Sequence, residues 1–450
     1  MPVPALIIAG THSGCGKTTA TLAILAALVR RGLRVQGFKV GPDFIDPGHH
    51  TALTGRPSRN LDTWLLDPPA LAKTYRRGVQ GADLAVIEGV MGLFDGRSAL
   101  DEAGSTADLA RRWGLPVILV VDACGLARSV APLVRGFTTF DPAVRVAGVI
   151  ANRVGGRRHF EDYLAPALRQ SGAVEPIGYL VRDDAFTIPS RHLGLWTAEE
   201  FRPGSRWLIR LAEAAEATLD LDRLLALARA PELPPERSRR TERPPRRVRV
   251  ALARDPAFCF YYEDNLDQLR EAGADLIPFS PLDDAELPAG AELVYLGGGY
   301  PEVVADRLAT NAAMRVAIRR FHAEGGTILA ECGGMMACCR ELRDLSGRAF
   351  SMWDLIPARV VMQARFAALG YVTVRTERPT PLGPAGTEIR GHEFHYSTLE
   401  PLAPLSYATH LIRPDRPPRP DGIQVGGLLA GYAHLHFGSN PDVARRLLST

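Results

Sequence analysis

Two short segments of this chain carry residue types that can do chemistry. Near the start, Gly10-Thr11-His12-Ser13-Gly14-Cys15-Gly16-Lys17-Thr18 places glycines, a lysine and a hydroxyl between an apolar stretch, Pro4 to Ala9, and a helical pattern. Backbone N–H groups from residues 12 to 18 can surround phosphate oxygens, Lys17 supplies a compact positive charge, and Thr18 offers a hydroxyl to Mg²⁺. Thr11, Gly14, Gly16 and Thr19 complete the expected phosphate-facing set. Far downstream, Ala330-Glu331-Cys332-Gly333-Gly334 follows an apolar strand pattern and precedes a helix. A cysteine there sits on a sharp turn that exposes a thiol nucleophile.

A thiolate needs a base and an oxyanion site. The run Leu296-Gly297-Gly298-Gly299-Tyr300-Pro301 can present the N–H groups of Gly298 and Gly299 as an oxyanion pocket, with Gly333 adding another. Near the chain end, Tyr432-Ala433-His434-Leu435-His436-Phe437 offers two histidines on one strand face, so either can be the base and the other its orienter. Arg390-Gly391-His392-Glu393-Phe394-His395-Tyr396 adds two more, read as structural or substrate-contacting. Cys338 and Cys339 read as core residues of the following helix.

The glycine loop is a variant, because the usual spacing wants a glycine at position 11 and finds Thr11, with Gly10 one place earlier. Partition-type ATPases also have variant loops, but their signature lysine would fall where this chain has His12. Further groups sit where a doubly wound sheet delivers residues to the carboxyl ends of its strands. Lys39 to Asp46 follows the second strand, and Glu88 to Gly96 the third. Asp43 and Glu88 are expected Mg²⁺ ligands, Asp46 and Asp95 ligands of metal or substrate, and Lys39 a nucleotide contact. Asn152, after another strand, is expected to read an adenine edge. Lysine occurs only at positions 17, 39 and 73 among a large majority of arginines. Two of those three flank nucleotide elements, where a guanidinium cannot replace a compact ammonium.

These residues need scaffolds. At 450 residues and 46% hydrophobic, the chain can bury more than one core. Apolar runs at 5–9, 34–40, 84–88, 117–122, 146–152 and 176–180 alternate with helical patterns, the rhythm of a mostly parallel α/β sheet. Thr18 to Arg31 reads as a first helix closed by Gly32, and 198–229 as a long helical region. Proline and arginine then dominate a linker at 231–247, dividing a first domain at 1–230 from a second at 248–450. The second domain starts a new α/β series and ends in extended segments between 359 and 437. A formal charge of +3 argues against nucleic acid as a partner. No apolar run approaches the ~20 residues needed to cross a bilayer, so no membrane partner is expected. Six cysteines without a scaffold or paired zinc spacing suit a reducing cytoplasm.

With these residues in view, the chain resembles the cobyric acid synthase-type glutamine amidotransferases, in the branch that makes cobyrinate a,c-diamide. The likeness covers nearly the whole chain: a dethiobiotin-synthetase-like P-loop domain joined to a class I, flavodoxin-like amidotransferase domain. The segment Phe258-Cys259-Phe260-Tyr261-Tyr262-Glu263-Asp264-Asn265-Leu266, with Phe279 to Leu282, looks specific for this branch. The resemblance implies that Cys332 attacks the glutamine side-chain amide and that His434, through Tyr432-Ala433-His434, activates it. Ordinary triads place a glutamate two residues later, where this chain has His436. It also implies that ATP, with Mg²⁺, phosphorylates the c and a acetate carboxylates of a corrinoid in turn, and that ammonia displaces phosphate. Hydrogenobyrinate or nickel sirohydrochlorin would suit the same machinery. A regulatory P-loop ATPase with an inactive glutaminase domain is the alternative from another class. Self-association into a homo-oligomer is left open.

Overall fold

The computed structural model describes residues 3–186, 188–191, 194–198, 200–201, 204–236 and 247–449. The chain forms two compact units, Met1–Ser238 and Arg239–Thr450. Most of the expected linker, residues 237–246, lies outside the described residues.

The first unit runs β1 (Ala5–Gly10), α1 (Lys17–Arg30), β2 (Val35–Val40), α2 (Ile45–Thr54), β3 (Arg59–Leu61), α3 (Pro68–Gly78), β4 (Leu84–Glu88), α4 (Thr106–Trp113), β5 (Val117–Asp122), α5 (Val130–Phe140), β6 (Val146–Val154), α6 (Ala165–Ser171) and β7 (Pro176–Val181). A two-residue hairpin pair, β8 (Ser190–Arg191) and β9 (Gly194–Leu195), precedes α7 (Ser205–Thr218) and α8 (Leu221–Leu227). Among the described residues, seven strands form one parallel sheet in the order β3-β2-β4-β1-β5-β6-β7. β1, β4 and β5 are aliphatic runs buried along almost their whole length, as strands covered by helices on both faces must be. Order reverses beside β1, so the loops after β1, β2 and β4 open at one crevice.

The helical region expected at 198–229 is two helices. α7 ends at Leu219, whose extended backbone bridges Gly178, and Asp220 then caps α8 by accepting from the Arg223 N–H at 2.9 Å. Residues 229–234 fold back on the sheet: Ala5 and Arg229 exchange backbone bonds at 2.7 and 3.0 Å, and Glu232 N–H donates to the Trp113 carbonyl at 2.9 Å.

The second unit contains β10 (Val248–Ala253), α9 (Glu263–Glu271), β11 (Ala274–Phe279), β12 (Leu293–Leu296), α10 (Ala305–Thr310), α11 (Ala312–Ala323), β13 (Thr327–Glu331), α12 (Gly333–Cys338), β14 (Cys339–Arg343), β15 (Ala349–Ser351), β16 (Ile356–Met362), β17 (Ala368–Thr376), β18 (Glu388–His395), β19 (Ser397–Pro401), β20 (Tyr407–Arg413), β21 (Arg416–Val425), β22 (Leu428–Gly431), β23 (His434–Leu435) and α13 (Asp442–Leu447). Its ten-stranded sheet is parallel through β11-β10-β12-β13-β22, then antiparallel through β21-β20-β17-β18-β23. β14, β15, β16 and β19 make a small separate sheet. The extended segments expected between 359 and 437 supply this antiparallel half, which carries the histidine segment to the sheet edge, together with β22 and, in the small sheet, β16 and β19. Among the described residues no helix is long and apolar enough to cross a membrane.

Candidate active sites

The loop between β1 and α1 is fixed by its glycines and by one distant side chain. Gly16 enters the helix at φ +95°, a left-handed conformation that disfavours any Cβ. A methyl there would overlap the amide of Asn152, which donates Nδ2–H to the Cys15 carbonyl at 2.9 Å. The amide expected to read a base edge thus gives one of its two N–H donors to the phosphate loop itself. Lys17 is buried, its ammonium 3.5 Å from the His12 carbonyl, and burial pulls its pKa down. Gly14, Gly16, Lys17, Thr18, Thr19 and Asn152 line a cleft of about 530 Å³.

Beside this cleft lies a fully buried charge cluster. Lys39 Nζ sits 2.8 Å from Asp46 and 3.3 Å from Glu88, and donates to the Gly89 carbonyl at 2.7 Å. Burial opposes the ammonium, but Asp46 and Glu88 outweigh it and hold Lys39 protonated. Burial likewise opposes the Glu88 carboxylate, which Lys39 and His50 keep ionised, well below the usual range. Thr18 Oγ1 donates to one Glu88 oxygen at 2.7 Å and His50 Nε2 meets the other at 2.8 Å.

Thr18 and Glu88 fit Mg²⁺. An octahedral ion with bonds of about 2.0–2.1 Å takes neighbouring oxygens about 2.9 Å apart, close to this pair's spacing. Among the described residues no group of three or more His, Cys, Asp or Glu is arranged for a metal. A Mg²⁺ held by Thr18 and Glu88 would take its other ligands from nucleotide and water. The other carboxylates have local partners. Asp43 Oδ1 accepts from the N–H groups of Ile45 and Asp46 at 2.7 and 3.3 Å, opening α2, and Asp95 Oδ2 accepts from Gly92 N–H at 2.8 Å in an exposed turn.

In the second unit, Cys332 stands between β13 and α12 at φ 47° and ψ −104°, a backbone strain of about 1–3 kcal/mol for a non-glycine residue. Its N–H donates to the Gly431 carbonyl at 2.7 Å, tying the turn to β22. Gly334 N–H donates to the Gly297 carbonyl at 3.0 Å, and a Cβ on Gly333 would stand 3.0 Å from Gly299 N. A methyl on Gly298 would overlap the His434 ring. The three-glycine segment therefore packs against both the cysteine turn and His434, and only glycine lets them approach it this closely. Burial, then Glu302, pushes the Cys332 thiol up, and burial, then His392 and His395, pulls His434 down to about 3. The resting pair is a neutral thiol and a neutral imidazole, the form that can take a proton.

The surrounding residues are similarly fixed. His436 is buried with its ring 4.6 Å from that of Tyr262, and its Nδ1 accepts from Gly438 N–H at 3.1 Å. His392 lies opposite His434 across β18 and β23, and His395 stacks on Tyr432 at 3.7 Å. Glu393 is fully buried against Arg413 at 2.9 Å and against Arg419.

Comparison with known proteins follows the same division. Residues 6–195 match the CobQ/CobB/MinD/ParA nucleotide-binding domain and 249–442 the CobB/CobQ-like glutamine amidotransferase domain. A cobyrinate a,c-diamide synthase of Syntrophotalea carbinolica is 47% identical over 99% of this chain and 98% of its own length. The chain belongs to the cobyrinate a,c-diamide synthase family. The synthases of that name from Salmonella typhimurium and Dehalococcoides mccartyi are 42% and 41% identical, over 99% and 100% of this chain and 97% and 98% of theirs. It is thus an enzyme, a glutamine-hydrolysing ligase that serves amidation in cobalamin biosynthesis.

In this family member the structure brings the expected residues into two groups: Gly14, Gly16, Lys17, Thr18, Thr19 and Asn152 around the cleft with Lys39, Asp46 and Glu88 beside it, and Cys332, Gly298, Gly299, Gly333 and His434 around the cysteine turn. Asp95 bonds within its own turn, and Thr11 N–H is spent on the Val120 carbonyl at 3.2 Å. Sequence reasoning missed His50. Its one signal was position: it lies one helical turn after Asp46 on α2, facing the same cluster.

Proposed function

We propose that this enzyme converts cobyrinate to cobyrinate a,c-diamide, amidating the c and then the a acetate with ATP and glutamine. The observation that carries the reading is the joining of a phosphate loop and a strained Cys332 turn in one chain that its diamide-synthase relatives match end to end.

In the second unit, Cys332 Sγ attacks the carboxamide carbon of glutamine and its proton passes to neutral His434. Tyr261 Oη is 2.8 Å from Gly297 N–H, and Gly334 N–H is bonded to Gly297, so the oxyanion falls to the N–H groups of Gly298, Gly299 and Gly333. The C–N bond breaks, ammonia leaves with the proton from His434, and water hydrolyses the thioester to glutamate.

In the first unit, a corrinoid carboxylate oxygen attacks the γ-phosphorus of ATP and ADP leaves. Ammonia then attacks the acyl phosphate, phosphate departs, and an amide remains. Lys17 and the loop N–H groups hold phosphate oxygens. Thr18 and Glu88 would hold Mg²⁺, which when bound supplies positive charge against the phosphate oxygens. Lys39 and His50 keep Glu88 ionised and oriented, and Asp43 and Asp46 build that setting through their cap and ion pair.

Mass-resolved products from cobyrinate, ATP, Mg²⁺ and glutamine test the proposal against hydrogenobyrinate and nickel sirohydrochlorin offered in parallel. Two successive acid-to-amide shifts on cobyrinate support it. Conversion of another tetrapyrrole alone overturns the substrate assignment.

A further inference from the structure

The histidine segment lies on the last strand of its sheet, and β23 is only two residues long. One edge of this segment pairs with β18: His392 lies opposite His434, Gly391 opposite Leu435, and His436 N–H donates to the Arg390 carbonyl at 3.0 Å. Among the described residues the opposite edge has no strand beside it, yet its polar groups are buried and must be paired. Two side chains do this. Glu331 Oε1 accepts from Leu435 N–H at 3.0 Å. Asn265 Nδ2 donates to the Leu435 carbonyl at 2.7 Å, and its Oδ1 accepts from Phe437 N–H at 2.8 Å. Glu331 is 4% exposed and Asn265 is fully buried. Tyr295 Oη donates to the second Glu331 oxygen at 3.0 Å, which holds the carboxyl in place.

We propose that Glu331 and Asn265 are positioning residues for glutamine hydrolysis, acting as a side-chain substitute for a missing strand that sets where His434 stands relative to Cys332. Glu331 serves both partners: its backbone leads into the cysteine turn and its carboxyl holds the residue after the histidine. Asn265 belongs to the Tyr262-Glu263-Asp264-Asn265 run, and this assigns that run a task. Both side chains are bonded to the backbone of the histidine segment, so their effect passes through the imidazole. The inference rests on the glutaminase reading above.

The test uses the full-length protein. Asn265→Asp removes the donor to Leu435, and Glu331→Leu removes the acceptor. Glu331→Gln keeps an oxygen for Leu435 N–H and gives Tyr295 Oη a donor, so it is the conservative rescue. Glutamate release and ammonia-driven amidation are measured on the same preparations. Asn265→Asp and Glu331→Leu are expected to lower kcat for glutamate release about 100-fold, with KM for glutamine within about twofold. Glu331→Gln is expected to stay near the parent, and ammonia-driven amidation to persist in all three. The unchanged KM shows that the second unit is folded. A raised KM at parental kcat, parental kcat in both disruptive variants, or Glu331→Gln as impaired as Glu331→Leu would each overturn the positioning role. A parent that releases no glutamate overturns the underlying reading instead.

Discussion

Asn152 donates its side-chain amide to the carbonyl of Cys15, 2.9 Å away, and so ties the sixth strand of the first sheet to the middle of the phosphate loop. The Gly16 that follows has room for no side chain because this amide fills the space. Removing the amide leaves a buried carbonyl unpaired and the loop free to shift, a loss of about 1–3 kcal/mol. Asn152→Ala should weaken ATP binding about tenfold by calorimetry, with glutamate release unchanged. Parental ATP affinity in the variant would mean that the loop holds its shape without the bond.

Gly298 offers a complementary test in the second unit. Its missing Cβ is the space the His434 ring occupies, and the Gly298 φ is not in the left-handed region, so Gly298→Ala acts through that contact alone. The expected result is loss of glutamine-driven activity with ammonia-driven activity kept, measured on one preparation. Equal loss of both would point away from the histidine.

Lys39 forms ion pairs with both Asp46 and Glu88, and all three side chains are buried. Breaking such a pair leaves a carboxylate buried without its counter-charge, at a cost of about 3–5 kcal/mol. Lys39→Met should therefore lower the urea midpoint of the first unit by a corresponding amount. A midpoint within error of the parent would show that the carboxylates do not depend on the ammonium.

The second unit should show a signed pH dependence of stability. Burial holds His434 at about 3 and His436 at about 4, below the ordinary 6.5, so the unfolded chain binds protons there that the fold does not. Stability from these groups grows as pH rises and levels off about one unit above 6.5. Burial raises Asp421 to about 6 and Glu331 to about 8, so their contributions are full in acid and fall with rising pH. Between 6.5 and 8 Glu331 still titrates in the fold while the unfolded histidines finish losing their protons, so the comparison with Glu331→Gln isolates the carboxyl. The urea midpoint of the parent should fall relative to that of Glu331→Gln, which cannot ionise, across that window. Midpoints that run parallel in both proteins would remove Glu331 as the cause.

The sequence made legible those features that depend on local pattern. The parallel sheet of the first unit was readable because β1, β4 and β5 are unbroken aliphatic runs, and the cysteine turn because strand, cysteine and glycines are consecutive. β3 was not, since Arg59-Asn60-Leu61 has no strand pattern and is extended only through its pairing with β2. The break at Leu219 was hidden because leucine and aspartate fit a helix as well as they fit a cap. Contacts between distant residues were out of reach altogether. Nothing in the spacing of Asn152, Glu331 or Asn265 says that their amides and carboxyl meet Cys15 and Leu435.

The most direct test of the whole assignment compares the parent with Cys332→Ala, each given cobyrinate, ATP and Mg²⁺ with either glutamine or ammonia, and follows product mass. The parent should add two amides from either nitrogen source, and the variant should add them from ammonia alone. Diamide formation from glutamine in the variant, or none from ammonia in either protein, would contradict the division between a cysteine glutaminase and an ATP-dependent ligase.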